Sequence, residues 1–367
     1  MKISKGALSL ICLTTMLLSV MCRGNQTRWR GTIEVVDGVA IVKNPILPLH
    51  KDDILTIEED LSIGGAQGGE ESLFGYISLI AVDNEENIYV ADTKDAHIQV
   101  YDSEGNYLRT IGRRGQGPGE FNSILSFLIT PNNELLVQDR SASRWTVFSL
   151  NGDYLKTVLI KDTRILGVRR INSKGNYFVE TTDFQRKGRN KSWHNAKEIC
   201  EYTPDMRFIK TIIKDKFRDV TSPPMITRFT SSDLIIYGDP EKTYEIRILD
   251  ANGKIIRKIF KEYEPYNIGD EEKGTKGLIK SKELPKDFPP YENVSVDEGG
   301  RLFVQLYEKP EDGSGYFFDV FDTDGKYIAK VALKAIPQYW KKGKLYAIEA
   351  DDNGYQYIKR YKVTWKF

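Results

Sequence analysis

Three carboxylates stand at matching places in this sequence. Asp92, Asp139 and Glu180 close the apolar runs Ile88-Tyr-Val-Ala-Asp92, Leu135-Leu-Val-Gln-Asp139 and Tyr177-Phe-Val-Glu180, and Asp239 and Glu349 fall near equivalent positions. A ring of such acids could hold a cation through oxygen ligands, or the amine of a ligand. Each could instead accept backbone N–H bonds in its own following loop, a job that would recur with the repeat. A second group of opposite sign lies in Thr181–Lys197. It carries Arg186, Lys187, Arg189, Lys191 and Lys197 against Asp183, with Trp193 and His194 among them. This composition suits an anionic or sugar-like ligand stacked on Trp193, and equally a solvated basic loop.

Other chemistries have little to work with. Zinc needs about three His, Cys or carboxylate ligands in one place, and His50, His97 and His194 are the only His residues. The chain has no Gly-x-Ser-x-Gly elbow, phosphate loop or EF-hand spacing. Lys and Arg number 53 and Asp and Glu 52. That balance lacks the basic surplus a nucleic-acid binder uses to displace counterions.

The elements that must position these residues are strands. Ile98-Gln-Val-Tyr-Asp-Ser-Glu-Gly-Asn-Tyr-Leu-Arg-Thr-Ile111 has the period of two of half-buried strands around an Asp-to-Asn turn. Variants of it begin at Trp145, Ile199, Ile246 and Phe318. Each is preceded by a second hairpin, of which Leu79–Asp92 is the clearest. Two hairpins every forty-odd residues, with insertions, are the mark of four-stranded propeller blades. A sixth copy starts at Gln338 and runs out one strand short near Val363. The expected fold is therefore all-β, a six-bladed β-propeller of four-stranded antiparallel blades over residues 30–367. Its ring is expected to close by pairing of the N-terminal strand Thr32–Lys43 with the last blade, which removes exposed edges.

Ile111-Gly-Arg-Arg-Gly-Gln-Gly-Pro-Gly-Glu-Phe121 resembles the signature of NHL-type repeats. The layout between a Gly31-Thr-Ile-Glu…Asn44-Pro opening and a Gly343-Lys-Leu-Tyr…Tyr361 close is similar to that of the six-bladed β-propeller lipoproteins of bacteria. The resemblance implies an exported binding or scaffold propeller without a defined reaction. Lactonase-type six-bladed propellers hold calcium with channel oxygens. The alternative is thus a calcium-dependent hydrolase using channel carboxylates, and a third reading is a structural subunit of an envelope complex.

Lys2, Lys5 and the apolar stretch Ala7–Met21 read as a signal peptide over residues 1–22. Cys22 at its end is the expected site of lipidation, which would make a lipid anchor the only tie to a membrane. With Cys12 and Cys22 in the signal, Cys200 is left alone and reads as a buried small hydrophobe. The expected product is an exported monomer, periplasmic or anchored at the outer membrane, without a cofactor unless calcium sits in the channel. The a–b and c–d turns are short. The long connections, Asn44–Tyr76, Thr181–Lys197, Lys261–Pro290 and Tyr307–Tyr316, all leave the other face. Long loops on a rigid scaffold carry recognition. A protein or small-molecule partner is expected there, with Trp193, Arg186, Arg189, Asp92, Asp139 and Glu180 as the contacting residues.

Overall fold

In the computed structural model the chain forms six four-stranded antiparallel sheets, with no helix among the described residues. Those residues are 28–51, 54–65, 73–187, 192–216, 218–219, 225–241, 243–266 and 287–367. Blade one is Ile77–Val82, Ile88–Asp92, His97–Tyr101 and Tyr107–Ile111, from the channel outward. Blades two to five follow in sequence order, with inner strands Ile124–Ile129, Ile165–Ile171, Ile226–Phe229 and Asn293–Val296. Blade six takes Tyr339–Lys341, Lys344–Ala350 and Gln356–Trp365 from the end of the chain.

The repeated turn has one physical cause. In Asp102–Asn106 the Asp102 Oδ1 accepts the amides of Glu104 at 2.9 Å and Asn106 at 2.8 Å. Asp83, Asp250, Asp322 and Asp351 do the same for the amides two and four residues on. The residue three after the Asp takes positive φ, which is why it is so often Gly. At Gly325, with φ at 84°, an added Cβ would also meet Ile259 of the neighbouring blade at 2.7 Å.

Packing repeats with the turns. Among the described residues most buried apolar side chains fall into six clusters, one at each junction between adjacent blades. Cys200 is a free thiol, 1 % exposed, in the cluster between blades two and three, and burial raises its pKa. Gly112–Gly119 lies in the crossing from blade one to blade two. There Arg113–Arg114 pairs in parallel with Glu120–Phe121, and Phe121 plugs the core between them.

The ring closes with a strand from the N-terminal part of the chain, as expected, but that strand is Leu55–Gly64 and not Thr32–Lys43. The outer strand of blade six is Leu55–Gly64, antiparallel to Gln356–Trp365 with Ile63 opposite Ile358. Leu55 and Ile63 supply buried side chains to the junctions on either side of the blade. Arg360 to Asp60 at 2.8 Å and Lys359 to Glu59 at 2.7 Å add pairs across the seam. Thr32–Val36 and Val39–Asn44 form a hairpin that joins blade four instead. Its second strand runs parallel to Ile255–Lys261, and every residue of its first strand is exposed. A strand with no buried face cannot fill the space between two blades, whereas Leu55–Gly64 can. Asn44 fixes the hairpin. Its side-chain amide donates to Phe260 O and Gly325 O, and its Oδ1 accepts the Trp29 indole N–H and the Tyr327 amide.

Candidate functional site

Thr181–Lys197 and Tyr307–Tyr316 leave the face expected from the loop lengths, whereas Asn44–Tyr76 holds the outer strand of blade six and enters it from the opposite end, where Leu55 pairs with Trp365. The strand-end acids behave in two ways there. Asp92 is 1 % exposed and accepts the amides of Gly75, Tyr76, Lys94 and Asp95. Asp139 is 0 % exposed and accepts those of Asn122, Ser123 and Ser141, with the Ser141 hydroxyl. Both carboxylates thus tie the loop after their own strand to the loop before the blade. Burial and these partners keep them out of reach of a bound molecule, so an acidic ring at the mouth is not formed. Glu180 differs. Its carboxylate meets Arg169 Nε at 2.7 Å and Lys197 Nζ at 3.0 Å, inside the channel wall. Burial alone would raise its pKa, but Arg169 and Lys197 outweigh it and hold the carboxyl below its ordinary value. Among the described residues no three His, Cys, Asp or Glu side chains converge as metal ligands.

Thr181–Lys197 is not a loop. The two middle strands of blade three run on as Tyr177–Lys187 and Ser192–Tyr202, making a hairpin arm beyond the blade. Arg186 stands opposite Trp193 in its register, and Arg218–Asp219 pairs with Asn195 and His194 as a third short strand. The backbones of Arg186 and Trp193 are described and their side chains are not; Arg189 lies outside the described residues. Phe184 on the arm is 55 % exposed. Apolar and polar residues do not alternate in this stretch, and only the β-prone Thr181, Thr182, Phe184 and Trp193 hinted at continued strands.

A site the sequence did not suggest lies on the same face between blades four and five. It is a cavity of about 270 Å³. Its inner wall is Asp319, 0 % exposed, with Lys261, Tyr244 and Tyr327. Lys261 Nζ stands 3.3 Å from Asp319 Oδ2, and the Tyr244 hydroxyl donates to the same oxygen at 2.7 Å. The ammonium also lies over the rings of Tyr327 and Tyr244, 4.8 and 5.2 Å from their centroids. Burial first, and then the Asp319 charge, push both phenols well above their usual range, so they remain neutral donors. Asp319 Oδ1 is buried and has no hydrogen-bond partner. The Tyr327 phenol also bears on this carboxylate, so Oδ1 is the less engaged of its two oxygens.

The outer wall is aromatic. Tyr307 stacks on Phe288 at 4.5 Å, and Phe288 on Tyr266 at 5.8 Å. Burial raises the Tyr307 phenol to about 12. Lys330 and Glu308, which also line the cavity, pair with each other at 2.7 Å. The charges of the inner and outer walls are therefore largely matched. What is left to offer a ligand is ring surface, neutral phenols, the exposed Glu264 carboxylate and the less engaged oxygen of Asp319.

Comparison with known proteins supports the fold. Residues 68–194 match a domain of unknown function, DUF4934. No curated protein matches the chain. Among solved structures, a protein of Bacteroides fragilis described only as inferred to be exported superposes with a TM-score of 0.58 at 13 % identity, over 89 % of this chain and 100 % of its own. A member of the DUF4221 family from Bacteroides vulgatus superposes with a TM-score of 0.54 at 15 % identity, over 86 % of this chain and 100 % of its own. At such identities the likeness is one of architecture. The chain is a six-bladed β-propeller, a third of whose length is similar to a domain family without an assigned function.

Proposed function

We propose that this is an exported, non-enzymatic propeller that binds a small ligand in the pocket between blades four and five. The observation that carries the reading is the Asp319 carboxylate, buried in a cavity walled by tyrosines with Oδ1 the less engaged of its oxygens. A ligand hydroxyl or ammonium would complete the hydrogen bonding of that oxygen. The cavity has the volume of a single substituted ring, and the stacked aromatic wall gives such a ring a flat surface. Export rests on the N-terminal segment, with Cys22 as the residue for a lipid anchor. The mass of the N-terminal peptide of protein recovered from membranes checks this: an unmodified peptide would refute the anchor.

The arm of blade three, with Arg186, Arg189 and Trp193, is the part of this face suited to a larger partner. One experiment separates the two roles. Wild-type protein, Tyr307→Ala and Trp193→Ala are immobilised and exposed to envelope extract, and bound small molecules and proteins are identified by mass spectrometry. Tyr307→Ala should lose the small molecules, and Trp193→Ala the proteins. Equal capture of the same small molecules by Tyr307→Ala and wild type would remove the pocket from the function.

A further inference from the structure

Near its start, the second strand of every blade carries two consecutive buried apolar residues. The first packs into the junction with the preceding blade and the next into the junction with the following one, so each junction receives a pair. In five junctions the pair contains one ring: Tyr89 with Leu135, Tyr177 with Leu136, Phe178 with Ile235, Phe303 with Leu345, and Tyr346 with Ile88. Between blades four and five the pair is Ile236 and Leu302, with no ring. A cavity of about 250 Å³ lies there, and both residues line it. The turns Thr230–Leu234, Asp297–Arg301 and Asp322–Lys326 contribute the rest of its wall, which puts it at the end of the junction opposite the tyrosine pocket.

Blade one shows what the missing ring does. There Tyr89, Val100 and Arg109 are neighbours across the sheet; in blade four the same row is Ile236, Ile248 and Arg257. Arg109 donates to Leu150 O of the next blade through Nε at 3.1 Å and Nη2 at 2.7 Å, and the Tyr89 hydroxyl lies 3.4 Å from the same oxygen. Arg257 reaches the matching carbonyl, Thr323 O, with Nη1 alone, and its Nε is buried without a hydrogen-bond partner. Arg257 and Thr323 both line the cavity. A donor and an acceptor thus stand beside the place of the absent ring, and a phenol oxygen serves both. The other charged groups of the wall are Glu298, which accepts the Gly343 amide at 3.2 Å, and Asp322, which accepts amides of its own turn. Two carboxylates against one guanidinium favour a neutral hydroxyl over an anionic substituent.

We propose that a single-ring phenol binds between Ile236 and Leu302, with its ring where blade one has that of Tyr89 and its hydroxyl between Arg257 and Thr323 O. Apolar cavities of about 150 Å³ already take up benzene, so the space suffices for a ring with one small substituent. Ile236, Ile248, Ile259 and Leu302 supply the apolar walls. The site is separate from the tyrosine pocket, and either can fail without the other.

The test is calorimetric titration with p-cresol, the side chain of tyrosine as a free molecule, and with toluene, which lacks the hydroxyl. Wild type and Tyr307→Ala should both bind p-cresol saturably at this site, and toluene more weakly. Ile236→Tyr supplies the ring from the chain itself. It should abolish this binding without lowering the melting temperature, because the cavity is then filled. Ile236→Phe, the residue type found in the same row at Phe178 and Phe303, should do the same and covers the case in which Ile236→Tyr does not fold. Arg257→Met, which keeps the stem and loses the guanidinium, should weaken p-cresol by about fivefold and leave toluene unchanged. Absence of saturable p-cresol binding up to about 10 mM, or binding that survives Ile236→Tyr and Ile236→Phe, overturns the proposal. So does loss of all p-cresol binding in Tyr307→Ala, which would place the ligand in the tyrosine pocket. Equal affinity of the wild type for p-cresol and toluene overturns the assignment of a phenol.

Discussion

A chain lacking residues 1–64 is expected not to fold as a cooperative monomer, whereas one lacking residues 1–44 should keep a closed ring. The longer deletion takes away the outer strand of blade six, and with it Leu55 and Ile63 from two of the six cores. Emptying one large apolar site costs about 2–5 kcal/mol. Two such sites, a whole strand ladder and the seam ion pairs together reach the roughly 5–15 kcal/mol that holds a domain folded. The last blade would also show a bare edge, open to pairing with other chains. The shorter deletion removes a hairpin whose first strand is exposed, with the buried Val42 and the four bonds of Asn44, for a loss of about 2–5 kcal/mol. Urea unfolding and size-exclusion chromatography distinguish these outcomes. A chain without residues 1–64 that stays monomeric and unfolds in one sharp transition would refute the closure.

The second large effect is expected at Asp319. Asp319→Ala should destabilise the protein by about 3–5 kcal/mol, because Lys261, 7 % exposed at the side chain, is left as a buried charge with no counter-ion. The Tyr244 hydroxyl loses its acceptor as well. The loss belongs to the stranded partners rather than to the aspartate. Replacing the group as a whole, with Asp319→Leu, Lys261→Met and Tyr244→Phe together, should therefore restore stability to within about 1–2 kcal/mol of wild type. The triple variant would then be folded and unable to bind the pocket's ligand, which makes it the control for ligand capture. If Asp319→Ala alone melts like wild type, the pair is not a buried ion pair in solution and the pocket chemistry must be redrawn.

How far each feature could be read from the residues follows from where its physics lies. The blades are local. Asp102, Asp250 and Asp322 each order a turn through amides two and four residues on, so the signal sits inside five letters. The closing strand is not local. Thr32–Lys43 has the cleaner β composition. In Leu55–Gly64 the run Glu58-Glu59-Asp60 conceals an alternation of Leu55, Ile57, Leu61 and Ile63. Which strand reaches the last blade depends on a face that only the assembled ring buries. Asp92 and Asp139 were legible as positions, but a carboxylate that caps a loop and one that greets a ligand look alike in letters. Asp319 did leave a trace, as the one charge within Phe317-Phe-Asp-Val-Phe321, where a buried acid interrupts an apolar run. Its partner Lys261 lies a blade away, and nothing in the sequence joins the two.

The seam of blade six also sets an order of events during synthesis. Asp60 pairs with Arg360, 300 residues later in the chain. At about 5–20 residues per second, the early strand waits roughly 15–60 s for its partner to be made. Throughout that interval Leu55, Ile57, Leu61 and Ile63 have no blade to enter, while blades one to five can already stack on one another. The final step is a long-range closure with a high entropic cost, and it should dominate the refolding rate. Until it happens, the newborn chain is an open arc with a sticky strand at its start, which is the state most in need of a chaperone.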